Sequence, residues 1–307
     1  MNWKGVMPAI TTCFKPDLSL DLGFLQEHAR WLVDNGCTGI VCLGSLGEGA
    51  TLQREEKRRI LETTVSAVGK RVPVVSANSS LSTAEAVELA KEAAEVGCSG
   101  LMVLPPYVYK GDWREMKYHV SSVFRATKLS CMLYNNPVAY GTDFLPEQIA
   151  ELAKEHENLH AVKESSTDAR RVTAIRALVG DRLEVFVGVD DAIVEGIAMG
   201  ATGWIAGLAN AFPRESVDLF EAALRGDRAK AFDIYKWFLP MLRMDTVPKF
   251  VQLIKLAQAE AGMGNARVRP PRMELVGAEL EQARGIIRAA LEHRPKGAKA
   301  SSSVAVR

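Results

Sequence analysis

An otherwise apolar run, Leu159-His-Ala-Val-Lys163, ends on a lysine and is followed at once by Glu164, Ser165 and Ser166. An ordinary lysine, with a pKa of about 10.4, is neutral in only ~0.1% of molecules near neutral pH. Burial disfavours the ammonium and raises the neutral fraction. A neutral amine can attack a carbonyl or imine carbon to form a Schiff base, and the iminium then acidifies the neighbouring C–H. Taken alone, Lys163 also reads as a lysine snorkelling from an apolar strand to water. Tyr134 ends the preceding apolar run, Ser130–Tyr134. If the two runs are neighbouring strands, ~4.8 Å apart, the phenol approaches the amine. It can donate and accept protons there, although alone it also reads as a barrel-lid aromatic.

The stretch Gly44-Ser-Leu-Gly-Glu-Gly49 matches neither the dinucleotide fingerprint nor the P-loop. A tight turn with backbone N–H groups and the Ser45 hydroxyl suits a carboxylate, and a plain βα turn has the same composition. Asp190 and Asp191 read as the cap of a helix over 192–199 rather than as metal ligands. The histidines at 28, 119, 156, 160 and 293 form no H-E-x-x-H pattern. No metal and no cofactor are therefore expected.

These residues need a frame that brings strand ends together. Eight apolar runs alternate with amphipathic stretches: Val6–Ile10, Gly39–Leu43, Pro73–Ser76, Gly100–Leu104, Ser130–Tyr134, Leu159–Lys163, Leu183–Val187 and Gly203–Ala206. Near-continuous apolar runs are the mark of parallel strands covered on both faces. A Gly-x-x-Gly-apolar-apolar repeat begins at Gly36, Gly97 and Gly200, each time ending a helix and opening a strand. Its spacing corresponds to about 27 residues per unit, the size expected of a (β/α)8 TIM barrel, with its site at the strand C-termini. Residues 1–225 are assigned to the barrel and 226–293, helical throughout, to a C-terminal extension. Within that extension Asp245-Thr-Val-Pro-Lys reads as a helix start. Residues 294–307 read as a flexible tail.

The 307 residues carry 38 Lys+Arg against 37 Asp+Glu, a balance that argues against nucleic-acid or anionic-membrane partners. No apolar run approaches the ~18 residues of a membrane span, and no signal-peptide core opens the chain. The five cysteines, with no CxxC pair, read as reduced, buried residues of a cytoplasmic protein.

Gly44-Ser-Leu-Gly-Glu48, Tyr134-Asn-Asn-Pro137, Val162-Lys-Glu164 and Gly188-x-Asp-Asp191 together resemble the dihydrodipicolinate synthase / N-acetylneuraminate lyase family, over about residues 3–290. The resemblance implies a class I lyase, usually a homotetramer, acting on a small 2-keto or 2-imino carboxylic acid. It implies that Lys163 is the Schiff-base lysine and Tyr134 the proton relay. Ser45 would bind the substrate carboxylate and link to that tyrosine, and Gly188 would line the pocket through its backbone. Two departures bear on the substrate. Leu46 replaces a hydroxyl residue, and Ala139 stands where dihydrodipicolinate synthases carry a dicarboxylate-binding arginine. The tyrosine those enzymes lend to a neighbouring subunit appears as Val108, with Tyr107 or Tyr109 as substitutes. Tyr134-Asn-Asn-Pro-Val-Ala-Tyr-Gly141 is similar to the Δ1-pyrroline-4-hydroxy-2-carboxylate deaminases of hydroxyproline breakdown. That resemblance implies dehydration and deamination of the cyclic imine to 2,5-dioxopentanoate and ammonia. A 2-keto-3-deoxy sugar acid aldolase or dehydratase, and a keto-acid-binding sensor barrel, are the alternatives.

Overall fold

The computed structural model describes residues 1–107 and 109–295. Strands and helices alternate in the order β1 (Gly5–Pro8), α1 (Leu22–Asp34), β2 (Ile40–Cys42), α2 (Arg54–Val68), β3 (Val74–Asn78), α3 (Thr83–Val96), β4 (Gly100–Val103) and α4 (Trp113–Arg125). The second half continues with β5 (Ser130–Asn135), α5 (Pro137–Tyr140), α6 (Pro146–Glu155), β6 (Leu159–Glu164), α7 (Arg170–Val179), β7 (Glu184–Val187), α8 (Ile193–Ala198), β8 (Gly203–Ala206) and α9 (Pro213–Leu224). Then come α10 (Arg228–Leu242), α11 (Phe250–Glu260) and α12 (Gly277–Glu292).

All strand pairs are parallel, in the order β1-β8-β7-β6-β5-β4-β3-β2. An Ala9–Val41 bridge and the bond from Thr38 N–H to the Val6 carbonyl bring β1 and β2 together. The chain is a (β/α)8 TIM barrel followed by further helices. The first glycines of the repeat, Gly36, Gly97 and Gly200, have φ of 98°, 92° and 103°. This left-handed conformation carries little steric cost only in glycine.

Strand alternation separates two cores. Met7, Val41, Val75, Met102, Met132, Ala161, Phe186 and Ile205 fill the barrel interior, with Trp3 below them. Leu133, Val162 and Val185 point outward to the helices. Side chains two residues apart share a face, so Tyr134 stands above Met132 and Lys163 above Ala161 in the same inward column. That periodicity, not any feature of the lysine itself, turns the amine into the barrel.

Some local expectations are corrected. Residues 226–293 are not helical throughout: the chain between α11 and α12 is irregular and bonds to the barrel. Within that segment Arg269 forms a two-pronged pair with Glu56, and its backbone N–H reaches Glu48. No helix starts at Asp245: residues 243–246 form a 3-10 turn and α11 begins at Phe250. Asp190 and Asp191 do not cap α8, whose first turn has no side-chain cap. Ser82 caps α3 through the Glu85 N–H, and the Glu85 carboxylate accepts from the Ser80 hydroxyl. All five cysteines are free and buried. Arg294 forms an ion pair with Glu215, and the rest of the expected tail, from residue 296, lies outside the described residues. No helix among the described residues is long and apolar enough to cross a membrane.

The loop after β2 is fastened from below. Glu48 sits at φ 55° and is fully buried. It accepts from Lys255 Nζ on α11 at 2.8 Å, and Lys255 also donates to the Thr12 carbonyl at 2.8 Å. Removing one member of a buried pair strands the other charge. Glu48→Gln is therefore expected to lower the unfolding free energy by about 3–5 kcal/mol. Urea unfolding of the two proteins at one pH measures this; a change below about 1 kcal/mol would show that the pair does not hold the loop.

Candidate active site

A cavity of about 550 Å³ opens at the strand C-termini, within the size range of small-molecule sites. Lys163, 7% exposed, lines it, and its Nζ lies 3.9 Å from the centre of the Tyr134 ring. The two residues are Cα partners across β5 and β6. Burial pulls the Lys163 pKa below the ordinary value, while Tyr140, Asp245 and Asp190 oppose that shift. The amine is thus closer to its nucleophilic form than an exposed lysine.

Space for the lysine depends on Gly188. A Cβ there would meet Ser165 Oγ at 2.0 Å and Lys163 Cε at 2.4 Å. Gly188 lines the cavity, but its larger effect is to leave room for the lysine chain. Ser165 Oγ is buried in the cavity wall and lies beside the Tyr134 hydroxyl. Glu164 points the other way, receiving Asn135 Nδ2 at 3.0 Å and fixing the ends of β5 and β6 together.

Burial raises the Tyr134 pKa, so the phenol keeps its proton at neutral pH. Asn136 Nδ2 donates to its oxygen at 3.0 Å. The resemblance implies a direct link from Ser45 to Tyr134, and the structure differs. The Ser45 hydroxyl bonds instead with the hydroxyl of Tyr140, 95 residues away. Tyr140 stands edge-to-face against Tyr134, ring centres 5.7 Å apart, and the two hydroxyls interact. The result is a run of three hydroxyls, Ser45–Tyr140–Tyr134, leading to the lysine within one chain.

Tyr107 packs on the far side of Tyr140 at 5.7 Å and lines the cavity, whereas Tyr109 faces a separate surface hollow. Val108 lies outside the described residues. Leu46 is a buried apolar part of the cavity wall, and Ala139 offers no polar side chain there. Arg272 reaches the cavity edge, where it faces Glu48 at 4.0 Å.

Sequence reasoning missed Tyr140, Ser165 and Asp245 as cavity residues. Asn136 caps the short helix α5 through the Ala139 N–H, and this turn swings the Tyr140 ring back over the mouth. The one signal that could have found Tyr140 is its place in the Asn136-Pro137 turn that directly follows Tyr134.

A lysine amine held against a phenol at the mouth of a (β/α)8 barrel is the arrangement of the class I lyases, which work through an imine on the lysine. The chain belongs to the dihydrodipicolinate synthetase family, which matches residues 2–290. It is 34% identical over 291 residues to the 4-hydroxy-tetrahydrodipicolinate synthase of Agrobacterium fabrum strain C58, covering 95% of this chain and 98% of that one. Dihydrodipicolinate synthase from Aquifex aeolicus superposes with a TM-score of 0.89 at 29% identity, covering 94% and 98% of the two chains. A prophage protein of the dihydrodipicolinic acid synthase family from E. coli K12, solved in complex with pyruvate, gives 0.89 at 27% identity, covering 94% and 99%.

Proposed function

We propose that this chain dehydrates and deaminates Δ1-pyrroline-4-hydroxy-2-carboxylate, giving 2,5-dioxopentanoate and ammonia, and that it does so as a homotetramer. The observation that carries the reading is the cavity wall around Lys163. Leu46 and Ala139 leave it without the arginine fork that a second carboxylate asks for, while Ser45 remains for a single carboxylate.

Lys163 attacks C2 of the cyclic imine and opens the ring by transimination, leaving the former ring nitrogen as an amine on C5. The iminium acidifies C3, whose proton leaves to give an enamine. The enamine expels the C4 hydroxyl as water. Tautomerisation places an imine at C5, and hydrolysis there releases ammonia. Hydrolysis of the lysine imine releases the product. One water is lost and two are taken up, so the sum is substrate plus water to 2,5-dioxopentanoate plus ammonia. Tyr134 moves the protons around Lys163. As it stays protonated at rest, it passes a proton on to Tyr140 as it accepts one.

The names of the relatives favour a second reading, condensation of pyruvate with aspartate semialdehyde. Arg272 is the cation available for the second carboxylate in that case, but it faces Glu48. Purified protein given each substrate set in turn separates the readings. Ammonia is expected from the cyclic imine, with no condensation product from pyruvate and the semialdehyde. Condensation without ammonia release would overturn the proposal. Pyruvate and an aldehyde formed from a 2-keto-3-deoxy acid would move it to the aldolase.

Ser45 and Tyr140 give a further expected result. Ser45→Ala and Tyr140→Phe each remove the same hydrogen bond, and each is expected to lower kcat/KM by about 10-fold, the equivalent of ~1.4 kcal/mol. The double variant is expected to lose less than the product of the two single losses, since the two hydroxyls share one contact. Additive losses in steady-state assays would show that the two hydroxyls act separately.

A further inference from the structure

The proposed reaction leaves one step without a partner: hydroxide is a poor leaving group, and something must protonate it. Lys163 is committed to the imine and the Tyr134 hydroxyl to the protons around it. The cavity also holds a carboxyl group close by, on a segment outside the barrel strands.

Asp245 lines the cavity from the 3-10 turn that precedes α11. It lies beside Asp190, from the turn after β7. A methyl group placed on Gly207 would meet Asp245 Oδ1 at 2.7 Å and Asp190 Oδ2 at 3.2 Å, so two carboxyls converge on a glycine that alone leaves room for them. Their partners differ. Asp190 accepts from Trp204 Nε1 at 2.9 Å, Gly207 N at 3.0 Å and Leu208 N at 2.8 Å. The backbone of Asp190 lies close to the Asp245 carboxyl. Three donors favour the charged form of Asp190, and two adjacent carboxylates disfavour a second charge. Burial raises both carboxyls, Asp190 to about 6, and the three donors to Asp190 favour Asp245 as the one that holds a proton. Burial, then the neighbouring Asp190, hold that carboxyl well above the ordinary range, against the pull of Lys163.

We propose that Asp245 is the acid that protonates the leaving hydroxyl, so that the site selects 2-imino and 2-keto acids bearing a hydroxyl on C4. This role rests on the dehydrating, Schiff-base reading of the site. In the step itself the enamine pair forms the C3–C4 double bond, the C4–O bond breaks, and the Asp245 proton leaves with the oxygen as water. The carboxylate left behind takes a C5 proton in the tautomerisation that follows and is restored. No outside acid, oxidant or reductant is needed.

The charged and titratable groups around Asp245 are Lys163 on β6, Tyr134 on β5, and Asp190 and Asp191 after β7. Arg243, on its own turn, faces Asp191 at 3.9 Å, and Arg272 lies across the cavity. An acid must be protonated to act. The elimination rate is therefore expected to fall as pH rises through the Asp245 pKa, and Asp245→Asn should abolish that limb of the profile.

The test compares Asp245→Asn with the wild type in three assays: ammonia release from the cyclic imine, exchange of pyruvate C3 protons with D2O, and chloride loss from the 4-chloro analogue of the imine. Exchange needs the lysine imine but no leaving group, and chloride leaves without a proton. Ammonia release is expected to fall by about 10²–10⁴-fold, the usual worth of a general acid, and to fall at least 10²-fold more than exchange or chloride loss. Equal losses in all three assays, or undiminished ammonia release, would overturn the role of Asp245 while leaving the substrate reading intact. A wild type that exchanges pyruvate protons but releases no ammonia would overturn the substrate reading, and this role with it.

Discussion

Lys163→Ala is expected to leave no measurable turnover and no borohydride-trapped adduct with pyruvate, in a protein that stays folded. The proposed reaction has no route around the missing amine, because its ring opening, C3 acidification and product release all pass through the imine on Nζ. The fold has no need of it. The side chain is 7% exposed and its amine is held in a place that penalises charge. A lysine with a lowered folded-state pKa binds fewer protons folded than unfolded, so it costs stability below its ordinary pKa of about 10.4, and this cost fades as pH rises toward that value. The alanine variant is thus expected to match or exceed the wild type in thermal stability at pH 7, with the difference shrinking at higher pH. Activity set against stability in this way is common at active sites. Loss of turnover through unfolding, seen as a lower melting temperature, would contradict this account of the lysine.

Tyr134→Phe is expected to lower kcat by about 10²–10⁴-fold, the range for a lost acid–base group. The substitution keeps what the ring does. Its face still meets Lys163 Nζ, which lies 3.9 Å from the ring centre, and its edge contact with Tyr140 remains. The hydroxyl alone goes, and with it the end of the run that begins at Ser45. Asn136 Nδ2 loses its acceptor, but that side chain is only half-buried and water can replace the phenol. Steady-state ammonia release and pyruvate C3 exchange are expected to fall together, since both depend on proton movement at the lysine. A Tyr134→Phe enzyme with unaltered exchange would exclude the relay.

How much of this is legible in the sequence follows from what each residue's neighbours look like there. The barrel is legible because strands covered on both faces must be apolar throughout, and because three helix ends need a glycine at positive φ. Lys163 and Tyr134 are legible because each is a polar residue closing an apolar run. The apolar runs stop one or two residues short of the strand ends at β3, β5 and β6, where the polar residues Asn78, Asn135 and Glu164 continue the ladder. Asp190 and Asp245 read as helix caps because an acid before a helical period looks the same whether it binds the first turn or faces a cavity. Only the convergence of two chain segments at Gly207 distinguishes the cases. Tyr140 is hidden for a related reason. The partner of its hydroxyl, Ser45, lies on another strand's loop, and no local pattern links them.

The most direct test of the central claim is to quench the protein with borohydride during turnover of Δ1-pyrroline-4-hydroxy-2-carboxylate and to map the modified peptide by mass spectrometry. A single reduced adduct is expected, on Lys163, its formation tracking the release of ammonia and 2,5-dioxopentanoate in equal amounts. An adduct on another lysine, or ammonia released at full rate with Lys163 never modified, would contradict that claim.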